Sequence, residues 1–245
     1  MLPEIFKLFW KTVERKDARR INSQTPPTEI EQFCDIQYID DGLWQHRLDV
    51  YSKSGKLSHR PVIIDIHGGG WMYGTKEINK NYCLVLAQND YVVVNINYRL
   101  APDFSVADQL RDCFFAFKWV STNIEKYGGD LNNVFVTGDS AGGFLAAYSA
   151  LLNSSEKLRK IFGVTESGLE FRACGLTSPV CFMNTHTFQD VYYSRVKGKE
   201  FSESTLRGFE NFDAVLNKGS MPPTFLVTSS GDAVGRLPTI KMYNL

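Results

Sequence analysis

One serine in this sequence lies in a pattern that can perform nucleophilic chemistry. Ser140 is the centre of a G-x-S-x-G sequence whose glycines are Gly138 and Gly142, and we call residues 138–142 the serine turn. The residues before it predict a strand, and the good helix formers after it predict a helix. Glycines leave room across a tight turn, so that the serine projects at its apex with free helix N–H groups behind it. For this pattern alone, an ordinary glycine-rich connection is the alternative.

A second glycine-rich turn, farther upstream, could supply hydrogen-bond donors to the same reaction. The apolar stretch 61–66 leads into His67-Gly68-Gly69-Gly70-Trp71, and we call residues 67–71 the glycine loop. Three consecutive glycines let successive backbone N–H groups turn towards one point, as an oxyanion hole requires. The two turns together predict an acyl-transfer site, in which a serine attacks a carbonyl carbon and amide groups bind the resulting oxyanion.

These motifs resemble those of the hormone-sensitive-lipase-like branch of the α/β-hydrolases, which includes bacterial acetyl esterases and small carboxylesterases. The resemblance extends over roughly residues 35–245 and depends on HGGGW at 67–71, YRLAPD at 98–103 and GDSAGG at 138–143. It implies an α/β-hydrolase fold, in which a mostly parallel central sheet is flanked by helices and carries a small helical cap. It also implies hydrolysis of carboxylic esters with short acyl chains, acetyl esters among them.

The resemblance assigns roles to residues of both turns. Ser140 is the expected nucleophile, and the backbone N–H groups of Gly69, Gly70 and Ala141 are the expected oxyanion donors. The residues expected to support these motifs are His67, Gly68, Gly138, Asp139 and Gly142. An imidazole would remove the serine proton, and a buried carboxylate would orient that imidazole.

Asp232 is the candidate for this carboxylate. It follows the strand predicted at 225–229 and comes after the nucleophile in the chain, which is the order that this fold uses. The alternative is that Asp232 caps the helix predicted to begin near Pro238.

The general base has no supported candidate among the four histidines, which are His46, His59, His67 and His186. His67 belongs to the glycine loop, His46 and His59 are expected at the surface, and His186 lies in the predicted cap without a supporting motif. Since the base follows one further strand in this fold, we expect the chain to lack the last strand, the last helix and the triad histidine. Turnover would then be impaired. The strand at 225–229 would be an exposed sheet edge, which favours self-association.

The length of 245 residues suits a single α/β domain, residues 1–245. Strands are predicted at 34–39, 47–51, 61–66, 91–97, 134–137, 172–179 and 225–229, and helices at 1–20, 78–88, 106–126 and 144–152. This alternation predicts parallel strands, with both turns at their carboxyl ends. Residues 1–30 and the aromatic insertion 180–220 are the predicted cap segments. The alternatives are a surface helix for the first and a surface helical pair for the second.

The composition indicates which classes of ligand and which cellular compartment to expect. The formal net charge is +0, and the lysines and arginines are scattered, which argues against nucleic acid or an anionic membrane as partner and favours a small neutral ester. Charged residues interrupt the N-terminal apolar positions, so we expect neither a signal peptide nor a membrane span, and a cytoplasmic location. The five cysteines are expected to be reduced core residues. No metal-ligand spacing is present, and we expect no cofactor.

Two other functions are compatible with the same motifs. The chain could be a binding protein on a hydrolase scaffold, which keeps the pocket without turnover. It could also be an amidase or peptidase, because the same nucleophile and oxyanion hole serve amides.

Overall fold

The computed structural model describes residues 2–55, 59–183, 189–203 and 206–245. Its strands are β1 Ile30–Gln37, β2 Arg47–Lys53, β3 Arg60–Ile66, β4 Val92–Ile96, β5 Gly129–Asp139, β6 Phe171–Thr177 and β7 Thr224–Val227. They form one sheet in the order β1-β2-β4-β3-β5-β6-β7. β2 pairs antiparallel with β1 and β4, and all other pairs are parallel. The predicted mostly parallel sheet is therefore confirmed, with β3 and β5 side by side near its centre.

A helix precedes β1, helices lie between successive strands from β3 to β7, and one follows β7. They are α1 Leu2–Asn22, α2 Lys80–Gln88, α3 Val106–Asn123, α4 Ala141–Asn153, α5 Glu156–Phe162, α6 Gln189–Glu203, α7 Asp213–Leu216 and α8 Arg236–Tyr243. α6 is interrupted at Gly198, whose φ is 63°. α5 has no counterpart among the predicted elements, whereas α6 and α7 lie in the segment 180–220, for which a cap or a helical pair is predicted. Part of the predicted cap segment 180–220, including His186, falls outside the described residues.

The core fixes the position of the serine turn. All five residues of β4 are buried, and every residue of α4 from Ala141 to Leu152 is buried as well. A helix that is apolar on all sides can be stable only inside a protein. The ring of Phe144 stacks on that of Tyr148 with 4.1 Å between centroids. Since α4 begins directly after Ser140, its burial anchors the serine turn in the centre of the molecule.

The edge of the described sheet that β7 forms is exposed. β7 is its edge strand, and the Phe225 side chain is 72% exposed. Leu237 and Tyr243 of the neighbouring α8 are 76% and 78% exposed. Large apolar side chains therefore face outwards along this edge.

The sequence predicts the cysteines to be reduced residues of the core, and this prediction is wrong for the position of one of them. All five cysteines are unpaired thiols, and Cys83, Cys113, Cys174 and Cys181 are buried. Cys34 is exposed, because it lies in β1, the antiparallel edge strand whose side chains are mostly exposed.

None of the described helices is both long and apolar enough to cross a bilayer.

His46 is buried, which makes the prediction of a surface position wrong. Its Nδ1 lies 2.7 Å from Asp41 Oδ2 and its Nε2 lies 3.2 Å from Asp112 Oδ1. Asp112 is fully buried and also accepts hydrogen bonds from Arg99. Contacts with these two carboxylates stabilise His46 in its buried position. Burial opposes the charged imidazolium, but Asp112 and Asp41 outweigh it and raise the pKa of His46.

The His46 ion pair predicts a pH-dependent stability. Because the folded pKa lies above the unfolded value of about 6.5, the charged histidine stabilises the fold fully below that pH, and this contribution is lost as the pH rises through the folded pKa. We expect the difference in unfolding free energy between wild type and His46→Gln to be largest in mild acid and to shrink towards alkaline pH. Urea unfolding of both proteins across a pH series measures this difference, in which the groups that do not interact with His46 cancel.

The exposed His59 provides the control. His59→Gln should follow the wild-type pH profile. Parallel profiles for wild type and His46→Gln would contradict the assignment.

Candidate active site

The serine turn connects β5 directly to α4 through a backbone conformation that few residues adopt. Ser140 has φ 52° and ψ −114°, and a positive φ costs free energy for a residue with a side chain. Its N–H donates to Thr177 O at 2.9 Å, and its carbonyl accepts from the N–H groups of Phe144 and Val180 at 3.1 and 3.2 Å. The hydroxyl makes no hydrogen bond with any residue that the structure describes. The backbone is therefore fixed while the hydroxyl is available.

Two glycines make this turn sterically feasible. A Cβ atom on Gly142 would overlap the carbonyl oxygen of Ile66 at the end of β3. One on Gly138 would overlap the Gly142 carbonyl group. A larger residue at either position would move Ser140 away from the glycine loop, which begins directly after Ile66.

Asp139, the residue before the serine, joins the two turns. Its Oδ1 accepts hydrogen bonds from the Gly68 N–H at 3.0 Å and from Asn79 Nδ2 at 2.8 Å. The same Asn79 amide donates to Asp65 Oδ2 at 3.0 Å. Burial raises the pKa of Asp139, and burial with the Asp139 charge raises the pKa of Asp65 to about 7, against the hydrogen bond from Asn79 that lowers it. A carboxylate thus holds the glycine loop against the serine turn.

His67 is committed to the structure of the glycine loop. Its Nδ1 lies 2.7 Å from Gly68 O, and because a carbonyl oxygen only accepts, Nδ1 carries the proton. Its ring stacks on Tyr98 with 4.4 Å between centroids, and the Tyr98 hydroxyl donates to His67 O at 2.8 Å. Burial lowers the pKa of His67 to about 4, so the imidazole is neutral near pH 7. It is fully buried and does not line the cavity described below.

The remaining bonds of the loop leave two N–H groups unpaired. Gly69 O accepts from the N–H groups of Met72 and Tyr73 at 3.2 and 3.0 Å. In a trans peptide the N–H points opposite to the carbonyl, so these bonds direct the Gly70 N–H the other way. Within the described chain, neither the Gly69 nor the Gly70 N–H has a hydrogen-bond partner. Ala141 is the first residue of α4, and its N–H is one of those that a helix leaves unbonded.

A cavity of about 310 Å³ joins these groups. Ser140, Gly69 and Gly70 all line it, together with Asp139 and Gly68. The structure therefore brings the serine and the two unpaired amide donors to one space.

Helix α1, which lies in the segment 1–30 predicted as part of a cap, forms one wall of this cavity. Trp10, Val13, Asp17 and Arg20 line it. Trp10 stacks on Tyr73 with 5.3 Å between centroids. Burial and the Asp17 charge raise the pKa of Tyr73 to about 12, and its hydroxyl donates to Asp17 Oδ2 at 3.3 Å. The spacing of these residues in the sequence could have indicated this shared wall, since positions 10, 13, 17 and 20 lie on one face of a helix.

Asp232 lies apart from the cavity. It is partly exposed between β7 and α8, and its Oδ1 accepts from the N–H groups of Val234 and Gly235 at 2.9 and 2.8 Å. Hydrogen bonds from Ser178 and from these two amides lower its pKa. The bonds organise the turn before α8, whose N-cap residue is Gly235 and which has no side-chain cap hydrogen bond. Its role as the triad acid stays a prediction.

Three of the four histidines lie within the described residues, each in a different setting. His46 is buried in its ion pairs, His59 is exposed, and His67 supports the glycine loop, while His186 is outside the described residues. None of the residues described as lining the cavity is a histidine. Within the same residues, no group of three or more His, Cys, Asp or Glu side chains is arranged to hold a metal ion.

A solved structure with the same architecture is that of esterase B from Lactobacillus rhamnosis, inhibited by a tributyrin phosphonate. The TM-score is 0.90 and the sequence identity 29%, over 97% of this chain and 78% of that chain. The predicted α/β-hydrolase fold is thereby confirmed.

Sequence relatives are similar over shorter stretches. Versiconal hemiacetal acetate esterase from Dothistroma septosporum is 36% identical over 145 residues, which are 58% of this chain and 41% of that protein. Arylacetamide deacetylase from Oryctolagus cuniculus is 46% identical over 130 residues, 51% of this chain and 32% of that protein. The chain spans less than half the length of these relatives. The family model described as BD-FAE matches residues 48–194, more than half of the chain. The chain therefore belongs to the BD-FAE family, within the α/β-hydrolase carboxylesterases.

Proposed function

We propose that the protein is a serine hydrolase of carboxylic esters with short acyl chains, acetyl esters among them. The observation that carries this proposal is the cavity that joins the Ser140 hydroxyl with the unpaired N–H groups of Gly69 and Gly70. The names of the relatives, an acetate esterase and esterase B, support the same chemistry.

In the proposed reaction, Ser140 Oγ attacks the ester carbonyl carbon and gives its proton to a base, which passes it to the leaving alcohol. The N–H groups of Gly69, Gly70 and Ala141 bind the oxyanion, and each such donor contributes about 3 kcal/mol in other enzymes. Water then hydrolyses the acyl-serine. These donors are already oriented by the bonds of Gly69 O and by α4, so little reorganisation accompanies the reaction.

A histidine that could act as general base and accept the Ser140 proton is not found among the described residues that line the cavity. Since no described histidine lines the cavity, we propose that the chain by itself turns over esters slowly. Oxyanion binding and orientation alone leave an acceleration of about 10³ to 10⁴ over water. A base supplied in solution should then increase the rate.

The cavity supports a small, neutral substrate. Its aromatic wall consists of Trp10 and Tyr73, and the charge of Arg20 at its edge is paired with Asp17 at 3.2 Å. Because α1 closes one side of the cavity, we propose that it acts as part of a cap within a single domain formed by residues 1–245. The cytoplasmic location stays a prediction.

An amidase is the second candidate function. The relative from Oryctolagus cuniculus is named for an arylacetamide, which favours amides as substrates of this scaffold too. Comparing an aryl acetate with the matching acetanilide separates the two candidates. A ligand that raises the melting temperature without any turnover would favour the binding-protein alternative.

Replacing the nucleophile tests the proposal. With an aryl acetate as substrate and imidazole added as external base, we expect wild type to release the phenol at least about tenfold faster than Ser140→Ala, because a general base contributes about 10²-fold or more. Imidazole's own reaction with the ester is measured without protein and subtracted from both rates before they are compared. The release of phenol is followed by absorbance.

Ser121→Ala is the matched control, since Ser121 lies on α3 and bonds only to the carbonyl of Lys118. This variant should behave as wild type. If Ser140→Ala releases phenol as fast as wild type with and without imidazole, the proposed function is wrong.

We further propose that the chain self-associates through β7. The edge strand is apolar and Phe225 projects from it. Unpaired strand edges of this kind template pairing with another chain.

A charge on this edge should prevent the pairing. We expect the sedimentation coefficient of wild type to rise with concentration, and that of Phe225→Lys to stay constant, because a lysine on an edge strand opposes pairing. Leu8→Lys, which changes an equally exposed apolar residue on α1, should sediment as wild type. A concentration-independent wild type would refute the proposal.

A further inference from the structure

The carbonyl groups of the glycine loop are each held by a hydrogen bond. Gly68 O and Gly69 O are held by neighbours in the same segment, as described above. Trp71 O accepts from the Ala101 N–H at 2.8 Å and from Gln109 Nε2 at 2.9 Å. The bond to Gly70 O is different, because its donor is the Tyr192 hydroxyl of α6 at 2.5 Å. The insertion after β6 therefore supplies one of the anchors of the loop.

Tyr192 is held in place for this contact by α1. Its ring packs edge-on against Phe6 with 5.1 Å between centroids and lies 6.5 Å from Trp10. Burial raises the pKa of its hydroxyl, which therefore stays protonated and donates. A Cβ atom on Gly70 would overlap both the Tyr192 hydroxyl and the Trp10 ring. Helices α1 and α6 thus meet over Gly70.

This anchor acts on a residue that has little conformational preference of its own. Gly70 has φ 57°, and a glycine crosses between backbone regions at low cost. The Gly69 carbonyl fixes the peptide plane on one side of Gly70, and the Tyr192 hydroxyl fixes the plane on the other side. With both planes fixed, the backbone of Gly70, which lines the cavity, keeps its conformation.

We propose that Tyr192 is a positioning residue of the oxyanion hole, whose hydroxyl holds the Gly70–Trp71 peptide and so keeps the backbone of Gly70, with its N–H group, in place for the ester oxygen at Ser140. The inference rests on the proposed function. It also implies that the oxyanion hole is formed only while α6 packs in the position seen here. While α6 is packed in place the Gly70 carbonyl is held, and displacement of α6 would release the Gly70–Trp71 peptide.

The test compares two adjacent tyrosines. Tyr192→Phe removes only the hydroxyl that bonds Gly70. Tyr193→Phe is the matched control, since the Tyr193 ring packs on Trp71 at 6.0 Å while its hydroxyl bonds to no described residue. We expect amide hydrogen exchange in the peptide covering residues 67–74 to be about fivefold faster in Tyr192→Phe, which is the effect of one lost hydrogen bond. Tyr193→Phe should exchange as wild type.

Kinetics of acylation by an aryl acetate give a second readout. We expect kcat of Tyr192→Phe to fall about fivefold to tenfold with KM changed less than twofold, because the lost bond acts on the transition state. Unchanged loop exchange, an acceleration spread over the whole chain, or a KM effect without a kcat effect would each overturn the proposal. If wild type shows no Ser140-dependent activity, the proposed function fails, and the exchange experiment still decides whether the hydroxyl holds the loop.

Discussion

The hydrogen bond from the Gly68 N–H to the Asp139 carboxylate is the interaction on which the site depends. It connects the ends of two neighbouring parallel strands, β3 and β5, at the point where each turns away from the sheet. The carboxylate is buried, which raises its pKa, and Asn79 provides a second N–H to it. Because a buried carboxylate is costly unless it is hydrogen-bonded, separation of the two turns is opposed by the loss of one of its two N–H donors.

Steric constraints reinforce this bond. Gly142 permits the serine turn to lie against the carbonyl of Ile66, and the fully buried α4 prevents the turn from moving outwards. The positive φ of Ser140 is maintained by backbone bonds to Thr177 and Val180 from the next strand and the loop after it. The free energy stored in that conformation is thus balanced by the core around it, as is common for residues at functional sites.

Much of this could be predicted from the sequence, because periodicity and glycine patterns are local signals. The strand, turn and helix around Ser140 follow from residues 134–152 alone. The contribution of Tyr192 could not be foreseen, because its bond to Gly70 joins residues far apart in the chain. His46 was misplaced for a related reason: its burial depends on Asp112, whose partnership no local pattern reveals.

A crystal structure of the chain with a short alkyl boronic acid tests the central claim most directly, since boron forms a tetrahedral adduct with a serine hydroxyl without the triad base. The account predicts boron bonded to Ser140 Oγ, with one boronate oxygen about 3 Å from the backbone nitrogens of Gly69 and Gly70. An adduct whose oxygens all face solvent, or a boronic acid bound away from Ser140, would contradict it.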